Sequence, residues 1–247
     1  MRHADRYGLE PSEPEIPFRQ TIARVMGAIK TIEPHDSVER YTGLGVDVVE
    51  GYAKVVDPWT VEIARKDGTT QRLTTRAIVI AAGAEPFVPQ IAGLEGSGYL
   101  TSDTMWDALA ALPSAPQRVV VLGGGPIGCE LSQTFARLGS QVTQIQKGPR
   151  LMPREDEDAA ALVTAALEES GVTVLVDHTT VRFAREESEK VLYVTGDGQE
   201  KRIVFDTLLL AVGRKANTTG LGLETLKLPT DNNGTITVND HLQSRFP

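Results

Sequence analysis

The run Val119-Val120-Val121-Leu122-Gly123-Gly124-Gly125-Pro126-Ile127-Gly128 constrains this chain more than any other feature. The apolar stretch reads as a buried strand, and Gly123, Gly125 and Gly128 follow it in the spacing GxGxxG. At a strand-to-helix turn each glycine has its own physical task. Gly123 permits the tight turn, Gly125 lets the backbone approach a diphosphate without a Cβ in the way, and Gly128 lets the helix pack on the strand. A helix starting here offers unpaired N–H groups and about half a positive charge to the phosphates. Pro126 fits the first turn, where an N–H has no helical partner. The spacing alone is a weak signal. The context strengthens it: a strand before, a helix over 127–138 after, and a strand over 141–145 beyond. Ile127, Leu131, Phe135 and Leu138 give that helix its apolar face.

The rest of the chain is patterned around this turn. Residues 12–33 read as one helix, because Phe18, Ile22, Val25, Ile29 and Ile32 recur at spacings of four and three. Pro34 stops it, and Asp36 with Glu39 reads as a capping box for a short helix. Strands are expected at 46–49, 53–56, 60–63 and 76–80, with a hairpin turn at Asp67-Gly68. Residues 86–99 read as loop, 103–111 as a short helix and 113–116 as a linker. Beyond the glycine turn come a helix over 155–170 closed by Gly171 and a strand over 172–176. Strands follow near 179–185, 190–195, 200–204 and 206–210, with a turn at Asp197-Gly198. The fold class is α/β: a Rossmann-like domain with a parallel sheet and crossover helices, plus a β-meander.

Two stretches share a layout. Asp67-Gly68 precedes an apolar run ending Ala81-Ala82-Gly83, and Asp197-Gly198 precedes one ending Ala211-Val212-Gly213. The spacing from turn glycine to final glycine is 15 residues in both, and the offset between copies is 130. Two copies of one dinucleotide-binding architecture are expected. A glycine turn equivalent to Gly123 would fall before Met1, so the first copy reads as incomplete.

Composition excludes some classes. A net charge of −8 disfavours broad nucleic-acid or anionic-membrane binding. No apolar run approaches the roughly 18 residues of a membrane span, and the first residues lack the core of a signal peptide. One cysteine forms no internal disulfide or cysteine zinc cage, and it fits a cytoplasmic location. That residue, Cys129, lies beside a helix N-terminus that could acidify it, but a buried inert thiol is the reading preferred. His3, His35, His178 and His241 show no metal spacing. The acids of 155–158 fit a helix start better than a metal site. Arg182, Arg185 and Lys190, mixed with Glu186, Glu187 and Glu189, read as a solvated hairpin.

Cofactor choice rests on the strand after the glycine turn. A carboxylate at its end usually accepts the ribose 2′-hydroxyl of NAD. Here stands Gln146, followed by Lys147 and Arg150. Gln146 does not repel a 2′-phosphate, and the two cations suit one. This leans toward NADP over NAD, while solvated surface roles for Lys147 and Arg150 stay open.

Three segments carry a resemblance: 75–86 (TRAIVIAAGAEP), 119–139 (VVVLGGGPIGCELSQTFARLG) and 206–217 (DTLLLAVGRKAN). Together they resemble the pyridine nucleotide–disulfide oxidoreductases, flavoproteins that include dihydrolipoamide dehydrogenase and glutathione reductase. Residues 34–41 (PHDSVERY) and 151–158 (LMPREDED) bring the chain nearest the mercuric-reductase-like branch. The resemblance implies a partial FAD-binding domain over 1–115, an NAD(P)-binding domain over 116–214, and a return segment over 215–247. It places Glu130 and Ile127 beside the nicotinamide, Ala82 and Gly83 against FAD, and Gly213 at the close of the nicotinamide domain. With the turn residues and Gln146, Lys147 and Arg150, these make up the expected cofactor site.

The departures from that family are equally informative. The N-terminal GxGxxG, the redox cysteine pair and the C-terminal dimerisation domain with its catalytic histidine have no counterpart here. No catalytic residue is therefore assigned. The expectation is the NAD(P)H-binding portion of a flavin-dependent oxidoreductase, homodimeric as a whole enzyme and passing hydride through FAD to a thiol, disulfide or metal-ion acceptor. Alone, this portion is expected to be inactive. A non-catalytic dinucleotide sensor and a thiol-independent flavin reductase are the alternatives.

Overall fold

The computed structural model describes residues 4–10, 12 and 16–245. In chain order the first elements are α1 (Phe18–Ile32), α2 (Val38–Gly43), β1 (Tyr52–Asp57), β2 (Thr60–Ala64), β3 (Thr70–Thr74), β4 (Ala84–Pro86) and β5 (Leu100–Thr101). Then come α3 (Met105–Ala110), β6 (Arg118–Leu122), α4 (Pro126–Arg137), β7 (Gln141–Ile145), α5 (Glu157–Glu169) and β8 (Thr173–Leu175). The last are β9 (Thr179–Glu186), β10 (Glu189–Gly196), β11 (Gln199–Phe205), β12 (Thr207–Leu210) and β13 (Arg214–Ala216). The chain forms two compact units, Met1–Thr31 with Val88–Gly213, and Ile32–Phe87 with Arg214–Pro247.

The first unit is built on β6. Its run of valines favours a strand, and it is sealed on both faces, as a central parallel strand must be. The five-stranded parallel sheet has the order β5-β12-β6-β7-β8. Successive side chains point to opposite faces. Val119 and Val121 join one core with Phe18, Ile22, Met105, Leu109, Phe135, Val142, Leu167 and Leu209. Val120 and Leu122 join another with Phe183, Leu192, Val194, Phe205, Leu208 and Leu210. The second core is roofed by the antiparallel meander β11-β10-β9, where the Phe183 and Phe205 rings meet edge to face at 6.0 Å. Asp197 and Gly198, both at positive φ, make the hairpin turn between β10 and β11. The α/β class with a parallel sheet and meander is thus the observed one.

The second unit holds the antiparallel sheet β1-β2-β3 and the two-stranded ladder β4–β13. In that ladder Pro86 stands opposite Arg214 and Ala84 opposite Ala216. Val55 donates its N–H to the Leu221 carbonyl at 2.8 Å, and Gly222 lies so close to Val55 that a Cβ would meet its carbonyl at 2.1 Å.

Several expectations are corrected. The helix expected over 12–33 begins, within the described residues, at Phe18; residues 13–15 lie outside them. Its apolar stripe is buried only at Phe18 and Ile22, while Ile29 and Ile32 are exposed. Ser37 rather than Asp36 caps α2, its Oγ accepting from the Arg40 N–H at 3.2 Å. Segments 46–49 and 76–80 do not form strands, because among the described residues neither has a neighbouring strand to pair with. Val79 is 89% exposed. The return strand of the Asp67-Gly68 hairpin is β3 instead. The buried face of α4 runs through Gly128, Cys129, Ser132, Phe135 and Ala136. Ile127 is 38% exposed, because the helix turns its small residues to the sheet.

The meander's charges are not simply solvated. Asp206 accepts from the Arg118 backbone N–H at 2.9 Å and from Nε and Nη2 at 3.2 and 2.7 Å. Arg118 Nη1 reaches Glu189 at 3.0 Å. Arg202 pairs with Glu186 at 2.9 Å, and Arg182 lies 3.7 Å over the Tyr193 ring while pairing with Glu200 at 2.8 Å. The Arg118 bonds fasten the start of β6 to the meander, and the Arg202 and Arg182 pairs tie the meander's own strands together.

The Arg118 guanidinium holds the Asp206 carboxyl below the usual carboxylate range. Its contribution to stability is therefore complete above the unfolded value, about 4, and is lost as pH falls below it. Asp206→Asn should lower Tm at pH 7 by about 2–4 °C, the shift of a roughly 1 kcal/mol surface pair. Thermal scans from pH 7 to pH 3 should show the difference from wild type shrinking below about pH 4.

Candidate functional site

Where β6 ends, the chain turns at Gly123, which has φ +113°. A Cβ there would lie 2.2 Å from the Ala211 carbonyl oxygen, and a Cβ on Gly128 would lie 2.2 Å from the Gly123 carbonyl oxygen. Both glycines are thus required by the protein's own packing. Gly125 is different. It sits at the N-cap of α4 with φ −79°, and a Cβ there would meet nothing within 4 Å. Nothing inside the described structure calls for glycine at this point. A ligand approaching from outside would.

The start of α4 has the chemistry of an anion cradle. Pro126 has no N–H, and the first helical bond is from the Cys129 N–H to the Gly125 carbonyl at 3.0 Å. The N–H groups of Gly125, Ile127 and Gly128 have no acceptor among the described residues. They point where the helix dipole is positive.

The neighbouring elements shape the rim. Gln146 follows β7 and turns its Oε1 onto the Gly124 N–H at 3.0 Å. Lys147 is exposed. Arg150 donates to the carbonyls of Met152 and Pro153 at 2.8 and 3.2 Å, so two of its guanidinium nitrogens serve the loop. Glu130 is exposed on α4 and, with Pro126, Cys129, Gln133 and Met152, borders a cleft of about 270 Å³ against α5. Gly213, at φ +131°, lies two residues beyond Ala211, whose N–H donates to Leu122 at 2.7 Å. The glycine turn, Ile127, Gln146 and the Ala211 strand end are therefore brought together.

Ala82 and Gly83 belong to the second unit and are exposed. The Ala82 carbonyl accepts from Asn217 Nδ2 at 3.0 Å and the Gly83 carbonyl from the Asn217 N–H at 3.1 Å. Arg214 donates to the Ala84 carbonyl. Sequence reasoning missed Asn217, which ends the resembling segment 206–217. It also missed Gly124, where a Cβ would lie 2.8 Å from the Leu151 side chain. The unbroken Gly-Gly-Gly run was the available signal.

Other candidates fall outside the site. Cys129 is buried, and burial pushes its thiol up, away from the reactive thiolate. His178 is buried, with Nδ1 2.6 Å from the Val176 carbonyl and Nε2 2.8 Å from Lys201 Nζ. His35 meets Arg40 at 2.9 Å, and His241 is exposed. His3 lies outside the described residues. No cluster of three or more His, Cys, Asp or Glu suited to a metal occurs among the described residues. No helix among them is long and apolar enough to cross a membrane.

The same fold occurs in a solved flavoprotein disulfide reductase. The HOCl-induced flavoprotein disulfide reductase RclA of Escherichia coli, solved as a Cu(II) complex, superposes with a TM-score of 0.77 at 24% identity. It covers 98% of this chain and 52% of its own. Residues 10–247 match the pyridine nucleotide-disulphide oxidoreductase family, and the chain belongs to it. Mercuric reductase of Lysinibacillus sphaericus is 35% identical over 240 residues, 96% of this chain and 42% of that protein. Dihydrolipoyl dehydrogenase of Thermus scotoductus is 31% identical over 252 residues, 100% of this chain and 52% of that protein. The chain spans about half the length of the curated relatives it matches.

The glycine geometry separates packing from binding. Gly128→Ala should cost about 2–3 kcal/mol in chemical denaturation, since the Gly123 backbone must move. Gly125→Ala should stay within about 1 kcal/mol of wild type, because the new Cβ meets no atom.

Proposed function

We propose that residues 116–214 bind a nicotinamide dinucleotide as the NAD(P)H-binding portion of a flavin-dependent oxidoreductase. The observation that carries this reading is the open space at Gly125 beside three N–H groups that have no acceptor among the described residues. Gly125, Ile127 and Gly128 would hold the diphosphate through backbone N–H groups, with Gly123 and Pro126 fixing the turn. Ile127 is exposed beside this turn and would pack on the nicotinamide half, with Glu130 one helical turn beyond Pro126. Gly213 would close the domain. Bound NAD(P)H supplies a hydride.

Gln146 carries no charge to repel a 2′-phosphate, and Lys147 is exposed beside it. This supports NADP over NAD. The commitment of Arg150 to two loop carbonyls leaves it less to give.

Residues 1–115 and 215–247 are assigned to the FAD side of the whole protein; the second unit, Ile32–Phe87 with Arg214–Pro247, makes up most of that share. Ala82 and Gly83 are exposed enough to touch a flavin. Their carbonyls are already bonded to Asn217, and no second glycine-rich strand-to-helix turn exists among the described residues to hold a flavin diphosphate. These residues do not by themselves form an FAD site, and no reaction step is derived through one. The names of the relatives support a metal-ion or thiol/disulfide acceptor for the whole protein. A homodimeric whole protein, and inactivity of this portion alone, belong to the same proposal.

Titration of the purified chain with NADPH, NADH and FAD tests the reading. Saturable NADPH binding should weaken at least about tenfold in Gly125→Val, where branched carbons enter the cradle. Gln146→Glu should shift preference about tenfold toward NADH through charge repulsion with the 2′-phosphate. Failure of wild type to bind either nucleotide would overturn the proposal.

A further inference from the structure

Gln144 lies in β7 between Thr143 and Ile145, and it is fully buried. An amide in such a place costs free energy unless it is bonded. Its Nε2 donates to the Gly123 carbonyl at 3.0 Å and to Cys129 Sγ at 3.6 Å, while its Oε1 has no partner among the described residues. The orientation of the amide follows from chemistry, since the Gly123 carbonyl can only accept.

Two residues later Gln146 supplies the opposite half. Its Oε1 accepts from the Gly124 N–H at 3.0 Å. The Gly123 carbonyl and the Gly124 N–H belong to one peptide unit. In a trans unit they point in opposite directions, so the two glutamines grip one plane from both ends. The next unit is held by its carbonyl: Gly124 O accepts from the Met152 N–H at 2.6 Å and from the Cys129 thiol at 3.6 Å. The N–H at its far end, that of Gly125, therefore points away from these donors, and it has no acceptor among the described residues.

Three successive glycines have wide conformational freedom. Without a grip, these peptide planes would sample orientations in which the N–H groups diverge. We propose that Gln144 and Gln146 are positioning residues that lock the Gly123–Gly124 peptide, so that the Gly125 N–H and the first N–H groups of α4 face the dinucleotide's diphosphate together. This inference rests on the dinucleotide reading of the site. It also accounts for the orphaned Gln144 Oε1: the residue serves orientation at the expense of a buried acceptor left without a donor.

The test compares wild type with Gln144→Met, Gln146→Met, the double variant and Gln146→Glu. The readouts are NADPH and NADH dissociation constants, Tm, and amide exchange at Gly124 and Gly125 by NMR. In wild type without nucleotide, the Gly124 amide should be protected and the Gly125 amide should exchange fast, slowing when nucleotide binds. Gln144→Met should weaken NADPH binding about five- to tenfold with Tm unchanged or raised, a split that a merely structural residue would not give. The double variant should lose less than the product of the single losses, since both act on one plane. Gln146→Glu keeps the acceptor and should keep Gly124 protected, whereas Gln146→Met should not.

Wild-type affinity in Gln144→Met, or an affinity loss that only follows a fall in Tm, would overturn the positioning role alone. If Gln144→Met does not fold, Gly124 exchange decides: fast exchange in wild type, or protection surviving in Gln146→Met, overturns it. A wild-type chain that binds no dinucleotide overturns the reading of the site, and the positioning role with it.

Discussion

The close approach of α4 to the end of β6 is the contact on which the rest depends. The Gly128 position lies against the Gly123 carbonyl, with no room for one more carbon. Because the helix comes this near, its first turn sits directly over the sheet's C-terminal edge. The same approach seats Cys129 on the turn's own carbonyls and carries Phe135 into the core. A looser helix would leave the N–H groups of its first turn without a defined direction.

That contact is supported from below by a sheet with no wet face. Each residue of β6 after Arg118 belongs to one of two cores, so tilting the strand would disturb both. The meander that closes one side is tied to the strand's beginning through Arg118, Asp206 and Glu189. Apolar packing fixes the far end of β6 and ionic bonds fix the near end. The glycine turn inherits its position from both.

Much of this was legible in the sequence because it rests on local rules. The glycine spacing after a valine run, the two Asp-Gly hairpins and the helix stop at Gly171 each depend on φ or on apolar period, and each stands where expected. Segments 46–49 and 76–80 were misread because a strand exists only through its neighbour, and β-branched residues such as Ile78 and Val79 cannot supply one. The α4 face was read slightly off centre: Phe135 is buried and Leu131 and Leu138 pack against the core as expected, but Ile127 turns outward, and Gly128 and Ser132 meet the sheet because small size decides what fits there. Gln144 was invisible for a similar reason: in sequence it is one polar residue in a short strand, and its value lies in a carbonyl 21 positions away. Asn217 likewise gains meaning only from Ala82, 135 residues earlier.

The ladder between β4 and β13 has a topological consequence. The chain leaves the second unit just after Pro86 and comes back at Arg214, and these two residues are ladder partners. The excursion between them thus starts and finishes at a single doorway. A segment anchored in this way behaves as an insertion whose length is nearly free, since the entropy of closing a loop grows only slowly with its size. Residues 88–213 are an insertion by this measure, though not a self-sufficient one, since Phe18 and Ile22 of α1 complete their core and any exchanged module would have to accept that helix.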